Sequence, residues 1–281
     1  MRKASFIAAF LATIALLAFT GCKEGHGHTD NGGESCPISE ETFPATDGVT
    51  YRLSDDGTYA IVTGYLGLDT QVRIASSYEN VPVTCVDDYA FLNVESLTDV
   101  IFPETLKEIR KEAFTGCSSL TKIVVPDSVE KIGFGAFANC SGLTEITLPF
   151  AGASMENTEN VHFGYIFGAE NNAQNENYVP TSLKKVTLTK ATTIGERAFY
   201  MCSSLTEVVL PDTLTKIDTA AFYLCSELIK IIIPNSVTYV GGYAFAYCYS
   251  ITIYCERTEK DPSWGDRWNY DFLVIWGYTG E

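Results

Sequence analysis

Residues 113–126, AFTGCSSLTKIVVP, decide the fold because this segment returns along the chain at a nearly constant interval. The Ala-Phe pair stands at 90/91, 113/114, 136/137, 198/199, 221/222 and 244/245, which gives steps of 23, 23, 62, 23 and 23 residues. A cysteine lies three residues after each of the last five Phe residues, at Cys117, Cys140, Cys202, Cys225 and Cys248. A fixed period of this length is typical of a stacked array of repeats.

Each unit continues into a short apolar block that ends at a turn, such as SLTKIVVP at 119–126. Ile123 and Val125 alternate with Lys122 and Val124, which is the pattern of a strand with one buried face. Val129 and Ile132 form a second apolar pair, so each coil is predicted to carry two short extended or turn segments. Because one unit cannot bury its own apolar face, the sequence predicts a repeat solenoid, mainly β with short helical or turn segments, closing as right-handed parallel coils.

The repeated pattern IGxxAFxxCxxLTxIxIPxSV resembles the BspA-like branch of the leucine-rich repeats, over roughly residues 51–278. The resemblance implies the leucine-rich-repeat fold class, an α/β horseshoe-like solenoid. That family is known for bacterial surface proteins with varied partners. It therefore implies a non-enzymatic cell-surface scaffold for protein–protein or adhesion-type binding to a host or microbial surface protein. No motif in the sequence predicts a cofactor or a metal site.

The first 21 residues form an export signal, with Arg2 and Lys3 preceding an apolar run over 6–19. Gly21 followed by Cys22 resembles a bacterial lipoprotein cleavage site, although Phe19 departs from the usual Leu three places before the cysteine. This resemblance implies lipidation of Cys22 and anchoring in the outer membrane, facing the cell exterior. The alternatives are a plain secretory signal or an uncleaved anchor, for which the run is short.

The remaining chain divides into a flexible tether at 22–45, an N-terminal cap at 46–82, the repeat solenoid at 83–255 and a C-terminal cap at 256–281. In the tether, His26 and His28 are read as solvated residues rather than metal ligands. In the N-terminal cap, Asp56-Gly57 separates two alternating runs and predicts a hairpin. Asp55 and Asp56 are therefore interpreted as turn residues and not as a catalytic pair.

One coil is enlarged, because the step from Leu143 to Leu183 is 40 residues rather than 23. This insertion, at 150–182, is the predicted recognition surface, since extra residues in a repeat form loops on one face. The candidate binding residues are aromatic or imidazole side chains: His162, Phe163, Tyr165, Phe167 and Tyr178. The alternative is that the rings bridge the core of the enlarged coil. The segment 170–177 lacks apolar periodicity and is predicted to be a polar tip that the fold does not require.

The C-terminal segment gathers all three tryptophans, Trp264, Trp268 and Trp276, beside Tyr270, Phe272 and Tyr278. Its position favours a cap over the last coil, and a glycan-binding surface is the alternative.

Charge argues against nucleic acid as a partner, because 19 basic and 35 acidic residues give a formal net charge of −16. The exposed strand position reads Asp99, Lys122, Glu145, Lys185, Glu207 and Lys230, with signs that alternate without exception. Stacking in register would bring each side chain beside an opposite charge.

Nine cysteines in an exported chain would ordinarily suggest disulfides, but five of them share one coil position. Parallel Cβ vectors in such a column disfavour the disulfide dihedral, so these five are predicted to be free, buried thiols. The redox state of Cys36, Cys85 and Cys255 is left open. The chain has no nucleophile elbow, phosphate-binding loop or HExxH motif. A polysaccharide hydrolase with two carboxylates brought together by the fold is the remaining enzymatic alternative.

Overall fold

The structure is a computed structural model that describes residues 45–155 and 159–280. The predicted export signal, Cys22, almost all of the tether, its His26 and His28, and Cys36 lie outside these residues.

The described chain winds into a mostly β solenoid of about nine turns with little helix, which confirms the predicted fold class. Its strands are β1 (Val49–Leu53), β2 (Ala60–Tyr65), β3 (Gln71–Arg73), β4 (Ser77–Tyr78), β5 (Val81–Val86), β6 (Asp99–Ile101), β7 (Glu108–Ile109), β8 (Lys122–Val124), β9 (Lys131–Ile132), β10 (Glu145–Leu148), β11 (Lys185–Leu188), β12 (Thr193–Ile194), β13 (Glu207–Val209), β14 (Lys216–Ile217), β15 (Lys230–Ile233), β16 (Tyr239–Val240), β17 (Thr252–Cys255) and β18 (Val274–Trp276). Two 3-10 helices (Phe163–Phe167 and Asn172–Gln174) and one short α-helix, α1 (Asn175–Tyr178), lie in the insertion.

Each regular coil contributes two strands, as the sequence predicts, and these build separate parallel sheets. The longer strands form a seven-stranded sheet in the order β18-β17-β15-β13-β11-β10-β8, here called the long-strand sheet. The two-residue strands of the coils lie in two other sheets, one in the order β1-β2-β5-β7-β9 with β4 on β5, and one in the order β12-β14-β16. β3 and β6 pair in a separate two-stranded sheet. The gap between β9 and β12 coincides with the insertion, whose coil carries no named strand at that position.

Between the sheets, a column of phenylalanine rings forms the axis of the core. Ring centroids of successive coils lie 4.7 Å apart for Phe91–Phe114, 5.1 Å for Phe199–Phe222 and 5.3 Å for Phe222–Phe245. These rings are fully buried. Burying one such side chain stabilises the fold by roughly 1.5–3 kcal/mol, so the column is a main source of stability.

The five repeat cysteines are free and buried, as predicted, and Cys85 and Cys255 are free and buried as well. Most of the repeat thiols donate a hydrogen bond to the phenylalanine carbonyl of the preceding coil, for example Cys225 Sγ to Phe199 O at 3.1 Å and Cys248 Sγ to Phe222 O at 3.0 Å. Burial raises the pKa of the Cys117 thiol to about 12. A thiol that stays protonated is a poor nucleophile, which fits a structural role for this column.

The N-terminal end is closed by the predicted hairpin, because β1 and β2 pair antiparallel and β2 then pairs with β5. Asp56 accepts hydrogen bonds from the Ser54 hydroxyl and from the Thr58 amide and hydroxyl. These bonds lower the pKa of the exposed Asp56 carboxyl to about 2. Asp56 is thus a turn residue that stays ionised, as the sequence indicates.

At the C-terminal end, the chain keeps the coil geometry although the sequence abandons the repeat. The Phe245 amide donates to Trp268 O, just as Phe222 donates to Ala244 O in a regular coil. Trp264 and Trp268 are buried, and Trp268 meets Phe245 at 6.1 Å as the last ring of the column. The tryptophans therefore close the core as bulkier substitutes for the repeat residues.

Candidate functional site

The insertion is built as a coil of the solenoid, and most of its predicted binding residues lie in the core. Phe163 and Phe167 are buried, and Phe163 takes a place in the phenylalanine column at 4.9 Å from Phe199. The backbone confirms this arrangement, since the Phe137 amide donates to Ile166 O and the Phe163 amide donates to Ala198 O. Phe163 and Phe167 therefore lie in the core of the enlarged coil, as the alternative interpretation predicts.

The other three candidates differ in accessibility. His162 is buried, with its Nε2 2.9 Å from Ala169 O, and burial lowers the pKa of its imidazole. Tyr165 is half-buried against the Phe134 ring, and Tyr178 is exposed. A partner that approaches the insertion can therefore touch the side chains of Tyr165 and Tyr178. Binding by the insertion stays a prediction.

The segment 170–177 is not a polar tip, because its Asn175 is completely buried. Asn175 accepts from the Gly164 amide at 3.1 Å and donates to Ala198 O at 3.3 Å and Tyr200 O at 2.9 Å. This side chain ties the insertion to the next coil. The interpretation of 170–177 as a polar tip is wrong, since apolar periodicity cannot reveal a buried amide. That its truncation leaves the fold cooperative stays a prediction.

The long-strand sheet exposes one face, and its first outward row carries the alternating charges. Lys122 pairs in register with Glu145, Glu145 with Lys185, Lys185 with Glu207, and Glu207 with Lys230. Ion pairs join Lys122 to Glu145 at 3.6 Å and Lys185 to Glu207 at 3.2 Å. Lys230 instead lies over the rings of Tyr254 and Tyr278 and donates to the Tyr278 hydroxyl. The stacking prediction is confirmed for the register and for these two ion pairs.

Replacing Lys185 with Glu should lower the free energy of unfolding by about 1 kcal/mol, because the new carboxylate would lie between Glu145 and Glu207. The melting temperature should fall by about 2–4 °C, measured by calorimetry, and recover in high salt. The control is Lys260→Glu at an exposed position outside the sheet. An equal loss in both variants would show that the row contributes nothing.

A second outward row, two residues further along each strand, is largely apolar. Val124, Val209 and Ile275 are 49%, 36% and 38% exposed, and Ile232 and Tyr254 are partly exposed in the same row. Ile101, at the equivalent position of β6, which pairs with β3 and not with the long-strand sheet, is 40% exposed. A sheet face that only contacts water would be expected to carry polar side chains at these positions. Thr147 and Thr187 occupy the row between Val124 and Val209, so it forms two apolar stretches separated by two threonines. Exposed apolar surface rimmed by polar residues is typical of a protein interaction site.

Two shallow depressions lie along this apolar row. One, of about 380 Å³, has Ile101 and Val124 beside Asp99, Glu104 and Lys122. The other, of about 220 Å³, has Val209 and Ile232 beside Glu207, Asp212, Glu256 and Lys230. In both, acidic side chains outnumber the single lysine, so each depression combines an aliphatic floor with a net acidic rim.

Two other kinds of feature concern the described ranges 45–155 and 159–280. Within them no group of three His, Cys, Asp or Glu residues is placed to hold a metal ion. No helix in that part of the chain has the length and hydropathy needed to cross a membrane.

The fold and the repeated coil geometry define a leucine-rich-repeat solenoid. The model of the BspA type leucine rich repeat region matches residues 73–165 and 172–257 in six copies, which is well over half of the chain. The protein belongs to this family, as the repeat pattern indicates.

Several solved structures are similar to this chain. The leucine rich repeat protein of T. pallidum (TpLRR) is 28% identical over 78% of this chain and 83% of that protein, with a TM-score of 0.44. A leucine rich cell surface protein from Faecalibacterium prausnitzii is 28% identical, covering 76% of this chain and 54% of its own, with a TM-score of 0.46. A leucine-rich repeat protein from Eubacterium ventriosum is 22% identical, covering 75% and 51%, with a TM-score of 0.49. This chain thus spans about half of the latter two, and no curated protein matches it.

Proposed function

We propose that this protein is a non-enzymatic, exported scaffold that binds a protein partner through the exposed face of its long-strand sheet. The observation that carries the proposal is the apolar row containing Val124, Val209 and Ile275, whose side chains are 36–49% exposed. Burying β-branched side chains contributes roughly 25 cal/mol per Å² of apolar area, which gives the row its value as a docking surface.

The charges beside the row indicate the chemistry of the partner. The first outward row is partly neutralised by the ion pairs Lys122–Glu145 and Lys185–Glu207. The rims of the two depressions keep an acidic excess, for example Glu207, Asp212 and Glu256 against Lys230. The complementary partner surface would carry aliphatic anchors flanked by Lys or Arg, because a matching potential guides association and excludes wrong partners.

The experiment that tests this surface uses a double substitution, Val124→Glu with Val209→Glu. Each residue is exposed on a different strand, so the change should leave the fold intact and weaken partner binding more than tenfold. Proteins cross-linked to the wild-type chain in host mucosal extract are identified, and the affinity of the purified partner is measured for both forms.

A matched control is Leu66→Glu with Leu68→Glu, which adds the same charge at two exposed leucines away from the sheet face. Equal affinity of the wild-type and the Val124→Glu, Val209→Glu protein would contradict docking on this face. Tyr165→Ser with Tyr178→Ser tests the insertion in the same assay, because these side chains are its accessible aromatics.

We further propose that the scaffold is carried on a lipid at Cys22 in the outer membrane, facing outward. The support is sequence alone: the basic start, the apolar run over 6–19 and the Gly21-Cys22 junction. A cysteine that carries more than one acyl chain would hold an otherwise acidic chain at a membrane, because a single acyl chain gives only marginal binding.

Replacing Cys22 with Ser should move the protein from the membrane fraction to the soluble exported fraction, because the lipid acceptor is lost. Fractionation with immunoblotting measures the shift, and Cys36→Ser is the control for loss of a cysteine outside the signal junction. If the Cys22→Ser protein stays with membranes as the wild type does, the anchor is elsewhere.

A further inference from the structure

Six tyrosines form a continuous surface patch in the C-terminal coils, on the turns that follow and precede the repeated Ala-Phe pair. They are Tyr200, Tyr223, Tyr243, Tyr247, Tyr249 and Tyr270, here called the tyrosine patch. Tyr200 stacks on Tyr223 at 5.2 Å, Tyr223 meets Tyr247 edge-on at 5.0 Å, and Tyr247 lies 4.9 Å from Tyr270. Tyr249 and Tyr243 extend the patch and are 68% and 45% exposed.

The backbone under the patch adopts a conformation that tyrosine disfavours. Two turn positions of each regular coil have a positive φ, and at the second of them the N-terminal coils carry residues suited to it: Asn93, Gly116 and Asn139. The equivalent residues in the later coils are Met201, Leu224, Tyr247 and, in the last coil, Asp271, with φ of 58°, 62°, 61° and 65°. Tyr270, one residue before Asp271, has φ 50°. Tyr243 occupies the other position with φ 56°. Only Gly, Asn and Asp visit this region routinely, so three tyrosines of the patch are held against their backbone preference.

The coil geometry imposes a positive φ at these positions but does not select tyrosine, since Glu112, Ala220 and Leu224 also have it. The N-terminal coils show that Asn or Gly serves the turn at which Tyr247 lies, and Asp271 serves it in the last coil, so neither Tyr247 nor Tyr270 is needed to form it. Their rings are also not part of the core, which is closed by Phe245 and Trp268 beneath them. The feature that these tyrosines add is a surface of rings and phenol hydroxyls.

The patch is uncharged at neutral pH. Burial together with the Tyr247 hydroxyl raises the pKa of Tyr223, and a hydrogen bond with Tyr247 raises the pKa of Tyr270. These two phenols therefore stay protonated. A phenol can both donate and accept a hydrogen bond. The protein as a whole carries a formal charge of −16, which repels anionic ligands.

We propose that the tyrosine patch binds a neutral saccharide chain. Tyrosine has an apolar ring and a polar tip, and a neutral sugar offers the complement, with C–H faces and hydroxyl groups on one molecule. The patch extends over successive coils from Tyr200 to Tyr270, so it matches an extended oligosaccharide rather than one sugar ring. A basic peptide would suit the acidic net charge, and it is the competing outcome of the test.

The test uses the full mature protein and neutral hexasaccharides of glucose, mannose and N-acetylglucosamine, with affinities measured by titration calorimetry. We expect at least one hexasaccharide to bind, and the double variant Tyr247→Asn, Tyr270→Asn to bind it at least about tenfold more weakly. Because Asn suits the positive φ, the melting temperature of this variant should stay at or above the wild-type value.

Tyr89 supplies a matched control, because it precedes its Ala-Phe pair as Tyr243 does and has φ 61°, but lies in the first repeat. Tyr243→Asn should weaken saccharide binding and Tyr89→Asn should not. The strand-face variant Val124→Glu, Val209→Glu should bind saccharide normally, which separates this inference from the proposed protein-binding face. The proposal would be overturned if none of the three hexasaccharides bound, or if the Tyr247→Asn, Tyr270→Asn protein bound them as the wild type does. Polylysine, titrated in the same way, is the probe for a basic peptide. Loss of polylysine binding alone in this variant would also overturn the proposal.

Discussion

Replacing Phe163 with Ala should lower the free energy of unfolding by about 3–5 kcal/mol, as expected for removing a large ring from a packed core. Phe163 is fully buried, and its ring lies 4.9 Å from Phe199 and 5.3 Å from Phe167. The melting temperature should fall by about 6–15 °C for a fold of this size, measured by calorimetry.

The control is Phe222→Ala, which removes a ring of the same column from a regular coil. Similar losses in the two variants would establish that the insertion continues the core. If Phe163→Ala costs under about 1 kcal/mol while Phe222→Ala has the expected effect, the insertion is a loop laid on the solenoid, and its rings are available for binding.

The regular coils could be predicted from the sequence because each one repeats the same buried positions. Phe114, Cys117 and Ile123 recur at fixed spacing, and each lies in the core as the pattern requires. The place of the insertion in the stack could not be predicted in this way. The segment Phe163–Phe167 has FGYIF where a regular coil has the Ala-Phe pair, and no cysteine follows at the repeat spacing. Its place in the stack is visible only in the backbone ladder, from Phe137 to Ile166 and from Phe163 to Ala198.

The candidate sites show the same division between local pattern and long-range packing. Lys122 and Val124 are predicted to face outward, and collecting the residues equivalent to Val124 across the repeats would have revealed the apolar row. Tyr200 and Tyr223 of the tyrosine patch also follow the Ala-Phe pair at the same spacing, but the contacts of Tyr247 with Tyr223 and Tyr270 depend on how the coils stack. Likewise, nothing near Lys230 in sequence indicates that its amino group donates a hydrogen bond to Tyr278, 48 residues away, although Glu207 is its neighbour in register.

Replacing Asn175 with Asp should destabilise the fold by at least about 3 kcal/mol, although the two side chains have the same shape. Asn175 is completely buried, and its amide nitrogen donates to Ala198 O and Tyr200 O. A carboxylate has no proton to donate, so both carbonyls would lose a donor and face a negative charge. The Gly164 amide would keep its acceptor, which makes the loss specific to the two donated bonds.

Calorimetry of Asn175→Asp should therefore show a melting temperature lower by about 6 °C or more, whereas Asn177→Asp, at an exposed position two residues on, should change it little. The sign of the pH effect follows from burial, which raises the folded-state pKa of the introduced carboxyl above its unfolded value. Its protonated form can restore one donated bond, so the variant should recover stability as the pH falls toward about 4 and lose it again as the pH rises. An Asn175→Asp protein as stable as the wild type at neutral pH would mean that 170–177 does not tie the insertion to the next coil. Residues 170–177 would then be free of a structural role and would again be the candidate recognition surface of the insertion, because a loop that the core does not need can vary for binding.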